Sequence, residues 1–327
     1  MRPYPTNGRA QRWLSIVGVS IAALLLVSCQ RTRAPGSKKD ATTIRKPESV
    51  RQGQRAPAAA VTIRFSNSGI EPGSVQFGYD RLQVSAVFAD VDRRDMHMLS
   101  DLVGQSPTRA SIVDLDACIR QQGPFESQTV GHTAVPDTYL QLLDVGNLRL
   151  TSGKRSLPLR ISMVPSMFSA IRGVRYDANV DRARNWLASI QLTLHGTGGD
   201  GIAPFATSVS VPRPIRLTHL NSEPVRAGKV ALKERTGDIL VRWGSVDGTA
   251  ELEVLIGSER KEGGDWLRCR LRDDGAFVIG SKVLGVLPDR TPDRPWLVRL
   301  VRSQSGVIDG FEGSPMLLQL VDSVRVY

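Results

Sequence analysis

Apolar residues recur at every second position along much of this chain, and turn-forming residues interrupt them at short intervals. Successive side chains of a strand face opposite ways, so such alternation marks a strand with one buried face. Val61-Thr62-Ile63-Arg64-Phe65 groups Val61, Ile63 and Phe65 on one side. Arg81 to Phe88 groups Leu82, Val84 and Ala86, and Ser189 to Leu194 repeats the pattern. Glu71-Pro72-Gly73, Val145-Gly146-Asn147, Ser152-Gly153-Lys154 and the run Gly196 to Gly201 supply turns. No long helical stripe is present, and Asp177 to Asn185 reads as one short helix or turn. Many short strands with frequent turns imply a sandwich or barrel.

Val209-Ser210-Val211-Pro212-Arg213-Pro214-Ile215 reads as a linker, and a second set of strands follows it. These are Gly237 to Trp243, Ala250 to Ile256, Trp266 to Leu271, Ala276 to Ile279, Trp296 to Val301 and Leu317 to Val326. Turns at Asp247-Gly248 and Asp273-Asp274-Gly275 separate some of them. The strand number and an early Trp243 resemble an immunoglobulin-like or fibronectin type III-like sandwich. The expected fold is therefore mainly β, with two β-sandwich-like domains at 60–214 and 215–327.

The N-terminus carries a different signal. Arg2, Arg9 and Arg12 precede an apolar run from Trp13 to Val27, which ends in Leu26-Val27-Ser28-Cys29. The run is shorter than the roughly 20 residues of a spanning helix. A positive start, a short apolar stretch and small residues before a cut site read as a secretory signal. With Cys29 following Ser28, the stretch resembles the lipobox of bacterial lipoproteins. That resemblance implies removal of residues 1–28 and acyl chains on Cys29. Each buried methylene contributes about 0.8 kcal/mol, so several chains anchor a protein durably. Gln30, rather than Asp, follows Cys29, which by the same resemblance favours the outer membrane. No other segment approaches spanning length, so the remainder is expected to be soluble.

The formal charge is +11. Residues 1–55 hold 11 Lys/Arg and two acids, Asp40 and Glu48, and so carry +9. The 32 basic and 30 acidic residues of 56–327 leave +2, with the two signs interleaved. The high charge therefore belongs to the leader and to residues 29–59, not to a basic face for nucleic acid. Residues 29–59 contain Pro35, Gly36, Pro47, Gly53 and Pro57 and few large apolar side chains. Such a segment cannot bury enough surface to offset its ordering entropy and reads as a disordered tether.

Lipidation of Cys29 leaves Cys118 and Cys269. Two thiols in an exported protein suggest a disulfide, with two buried thiols as the alternative. A bond would join the expected domains.

The rest of the chain offers little chemistry. His97, His132, His195 and His219 have no metal-ligand spacing, and neither H-E-x-x-H nor C-x-x-C occurs. Ser258-Glu259-Arg260-Lys261 matches Ser-x-x-Lys, but it follows a strand and reads as a charged hairpin loop. Gly196 to Gly201 could cradle a phosphate only before a helix. Pro204 and the alternation after it make a hairpin loop the better reading, with His195 at the strand end. Asp114 and Asp116, placed on one face of a strand, and Asp273 and Asp274 are candidate Ca²⁺ ligands or ordinary turn acids.

Two separated stretches, Leu142-Leu143-Asp144-Val145-Gly146-Asn147-Leu148 and Gly198 to Phe205, combine with Trp243, Cys269 and Asp273-Asp274-Gly275. The composite resembles lipidated envelope proteins of myxobacteria-like organisms, and that resemblance brings no activity with it. The expectation is an outer-membrane lipoprotein that binds or assembles rather than catalyses, needing no cofactor. Its partners would be the membrane, through Cys29, and an envelope protein or polysaccharide. A hydrolase acting on envelope glycans or polymers and a purely structural component are the alternatives.

Overall fold

A computed structural model describes residues 55–67, 79–92, 96–104, 114–123, 140–164, 171–232, 237–258, 264–311 and 313–327. The signal run, Cys29 and almost all of the tether lie outside the described residues, as do Glu71-Pro72-Gly73, His132 and residues 259–261 of the Ser-x-x-Lys match.

The chain is mainly β, with several sheets and no barrel. One long sheet dominates. Its spine runs β3 (Ala117–Gly123), β16 (Gly264–Leu271), β15 (Glu251–Ser258), β18 (Trp296–Val307), β19 (Pro315–Val326), β1 (Ala56–Ser66), β2 (Arg81–Val91), β8 (Ile171–Asp181) and β4 (Leu140–Gln141). Beside this path, β13 (Lys229–Val230) pairs with β19, and β7 (Arg160–Val164) pairs with β8. Two four-stranded sheets accompany it among the described residues. One runs β10 (Phe205–Ser210), β9 (Gln191–Gly196), β5 (Leu148–Ser152) and β6 (Arg155–Pro158). The other runs β12 (Glu223–Pro224), β11 (Arg216–Leu220), β14 (Ile239–Gly244) and β17 (Ala276–Ile279).

A single apolar cluster contains inward residues of all three sheets, including Val61 and Leu318 from the long one, Leu194 from the second and Val241 with Trp243 from the third. The long sheet thus shares one apolar core with both smaller sheets. The line expected at 214/215 runs through this long sheet rather than between two sheets. β1, β2, β3, β4, β7 and β8 come from before that line, and β13, β15, β16, β18 and β19 from after it. Alternation reports which face of a strand is buried but not which strand lies beside it, so sequence order suggested a division that strand pairing crosses.

β1 explains the crossing. It runs parallel to β19, with Val61 opposite Met316, and antiparallel to β2, with Val61 opposite Ala86. Val61, Ile63 and Phe65 are fully buried on one face. Burying such side chains contributes about 1.5–3 kcal/mol each. Small Ala58 and Ala60 form the opposite face and let α1 (Met96–Leu102) approach, packing Leu99 and Leu102 over β1 and β2. Alternation alone did not reveal this helix. Asp177 and Asp181 belong to β8, and only Ala183–Trp186 makes a short 3-10 turn, so the expected helix from Asp177 reduces to that piece. A second short helix, α2, spans Ser281–Leu284.

Candidate functional site

Two loop stretches singled out in the sequence meet. Gly196 to Gly201 joins β9 to β10, which pair antiparallel with Gly196 opposite Phe205. This loop locks onto Asp144 to Asn147. The backbone N–H of Asp144 donates to Asp200 Oδ2 at 2.7 Å, and that of Asn147 donates to Thr197 Oγ1 at 2.8 Å. Asp144 Oδ1 accepts from the Tyr176 hydroxyl at 2.6 Å and from the Gly146 N–H at 2.8 Å. These two donors hold the Asp144 carboxyl below its usual range. Gly146 has φ +75, and a Cβ there would fall 2.3 Å from Thr197 Oγ1. Gly146 and Gly199 therefore serve close packing of loop on loop, and the segment after the loop is a strand, not the helix a phosphate cradle requires. His195 points to the outer side of β9, where its Nε2 lies 3.1 Å from Thr151 Oγ1.

Two of the acidic candidates, Asp116 and Asp273, are engaged in holding the fold, and Asp274, among the described residues, accepts only the Ala276 N–H within its own turn. Asp116 lies in a turn with φ +61 rather than on a strand. It accepts the Arg272 N–H at 2.9 Å and pairs with Arg272 Nε at 3.0 Å. Asp273 is buried against Arg302, 2.6 Å away, and also accepts from Trp243 Nε1 and the Asp247 N–H. Arg302 in turn donates to the Arg213 carbonyl at 2.6 Å and to the Ser245 carbonyl. This wholly buried arginine on β18 pins the crossing between the two small sheets to the long one. Among the described residues, no group of three His, Cys, Asp or Glu side chains could hold a metal ion. Cys118 and Cys269 are opposite each other on β3 and β16, with a Cα separation of 4.0 Å and their sulfurs bonded.

A partly enclosed cleft lies beside that crossing and has a volume of about 430 Å³. Its walls come from the end of β1, the entry to β2, the 3-10 turn, β11 and β19. Leu187, Ile215, Leu217 and Val225 give it apolar surface, and Arg184 and Arg216 stand among its polar residues. Asp80 and Asp322 both line it. Asp322 is 4% exposed, and burial raises its pKa to about 6 despite hydrogen bonds from the Leu217 N–H and Asn67. The Leu217 N–H sits 2.6 Å from Oδ2, while Asn67 Nδ2 donates to Oδ1. Tyr79 donates to the Ile215 carbonyl at 2.9 Å, and burial pushes its hydroxyl well above the ordinary range.

Sequence reasoning passed over Asp322 and Arg302, although a signal was present. Both occupy inward positions of strands, Asp322 after Leu318 and Leu320 and Arg302 after Val298 and Leu300. A charge at an inward position of a strand marks either a buried network or a site. No family model matches the chain, and no curated protein matches it.

Proposed function

We propose that this chain is an outer-membrane lipoprotein, anchored through Cys29, whose folded part is a non-enzymatic binding module of the cell envelope. Leu26-Val27-Ser28-Cys29 behind a basic, apolar start supports the anchor. One observation carries the binding reading. The cleft of about 430 Å³ is of ligand size, yet the oxygens of its deepest carboxylate are taken by Asn67 and the Leu217 N–H. Its apolar walls and this engaged carboxylate leave the cleft suited to holding a ligand.

Crosslinking of the full anchored chain in its own envelope, followed by purification, tests this. The expected result is one protein or polysaccharide partner in constant ratio to the chain. Release of soluble fragments from envelope glycan by the purified chain, abolished by Asp322→Asn, would replace binding with hydrolysis.

A further inference from the structure

The charge interleaving of the folded part is not uniform. Residues 148–176 contain Arg149, Lys154, Arg155, Arg160, Arg172 and Arg175 and no acid. This stretch spans β5 to most of β8 and includes β7, an outer strand of the long sheet. Among the described residues β7 pairs with β8 alone, Arg160 opposite Asp177 through Val164 opposite Gly173. Arg160 to Met163 are all exposed. Ile161 is 48% exposed and Met163 75%, and both face the side on which their cross-strand neighbours Tyr176 and Val174 join the core. Elsewhere, large exposed apolar residues of the described regions stand singly. Single exposures are ordinary, whereas an apolar pair along an outer strand is not.

Sheet edges are commonly blunted by charged side chains, proline or a bulge. β7 carries one charge, Arg160 at its first position, and no proline, and its register against β8 is regular. A strand added here would gain backbone hydrogen bonds and extend the apolar face. We propose that the outer edge of β7 docks an extended strand of an envelope protein that alternates apolar and acidic residues. Its apolar side chains would cover Ile161 and Met163, and its acids would meet Arg160 on the other face of the strand. A second copy of this chain fits less well, because pairing β7 with itself brings two basic stretches together. The proposal rests on the binding-module reading and names the kind of partner.

The test uses the mature chain and fluorescent peptides of about ten residues, long enough to cover an edge strand. Alternating valine–glutamate is the probe, with serine–glutamate and valine–lysine as comparisons. Wild type should bind valine–glutamate at least about tenfold more tightly than either, a difference of about 1.4 kcal/mol. Ile161→Ser with Met163→Ser should remove that advantage. Arg160→Glu should transfer the preference to valine–lysine. All three side chains are exposed, so unchanged melting curves will establish that the variants fold. Equal binding of serine–glutamate, or full competition by polyphosphate, would overturn the proposal in favour of a plain anion surface. So would a dimer in sedimentation that the double serine variant dissolves. In the envelope crosslinking, a partner recovered equally by wild type and the double serine variant would overturn this surface while leaving the binding reading intact. Recovery of no partner by wild type would overturn that reading, and the peptides would still decide the edge.

Discussion

Asp322 and Arg302 show how single charged residues organise the junction of the three sheets. Asp322 titrates near 6 in the fold, against about 3.9 in an unfolded chain. Between those values the folded state holds the proton more tightly. Its contribution to stability is present below pH 4 and is lost as pH rises through about 6, amounting to about 3 kcal/mol. Asp322→Asn should therefore flatten this part of the pH profile. Urea unfolding from pH 4 to 7 will measure the difference between the two chains, and a constant difference would refute the assignment. Arg302 makes the complementary case. Its removal leaves Asp273 buried and unpaired, so Arg302→Ala should cost about 3–5 kcal/mol in denaturation. A loss under about 1 kcal/mol would mean that water or another residue takes its place.

At the scale of elements, interlocked loops and a stapled strand hold pieces that packing alone holds less firmly. Gly146 and Gly153 both have positive φ, but only Gly146 has neighbours where a side chain would go. Gly153→Ala should cost about 1 kcal/mol through backbone strain. Gly146→Ala should cost about 3 kcal/mol or more, because Thr197 and the Gly198 carbonyl must also move. Thermal melts of the two variants compare them directly. Among the described residues β3 pairs with β16 alone, joined by the Cys118–Cys269 bond and the Arg120–Asp265 pair. Reduction should lower stability by about 2–5 kcal/mol. Amide exchange should then rise first in β3, while β18 and β19 stay protected.

These elements also show what was legible in the sequence. Alternation located β1, β2, β9 and the strands from β14 onward, because one buried face leaves a period of two. It missed α1, whose seven residues make under two turns and bury only Leu99 and Leu102. It missed the edge character of β7, because exposure depends on which strand lies alongside. The turn chemistry of Asp273 and the inward position of Arg302 were readable, but their pairing was not, since a contact across 29 positions leaves no local trace.

For the whole molecule, the shared long sheet brings the first described strand beside the last. β1 and β19 pair directly, so the point where residues 1–54 join the fold lies on a central strand. Among the described residues no helix is long and apolar enough to cross a membrane. The proposed division puts membrane attachment on Cys29 and recognition on the folded part. Metabolic labelling with palmitate, comparing wild type with Cys29→Ser, tests the anchor that this division of labour requires. The account predicts label on the wild-type chain and none on Cys29→Ser, which should leave the membrane fraction. Equal labelling of both chains, or an unlabelled wild type, would contradict it.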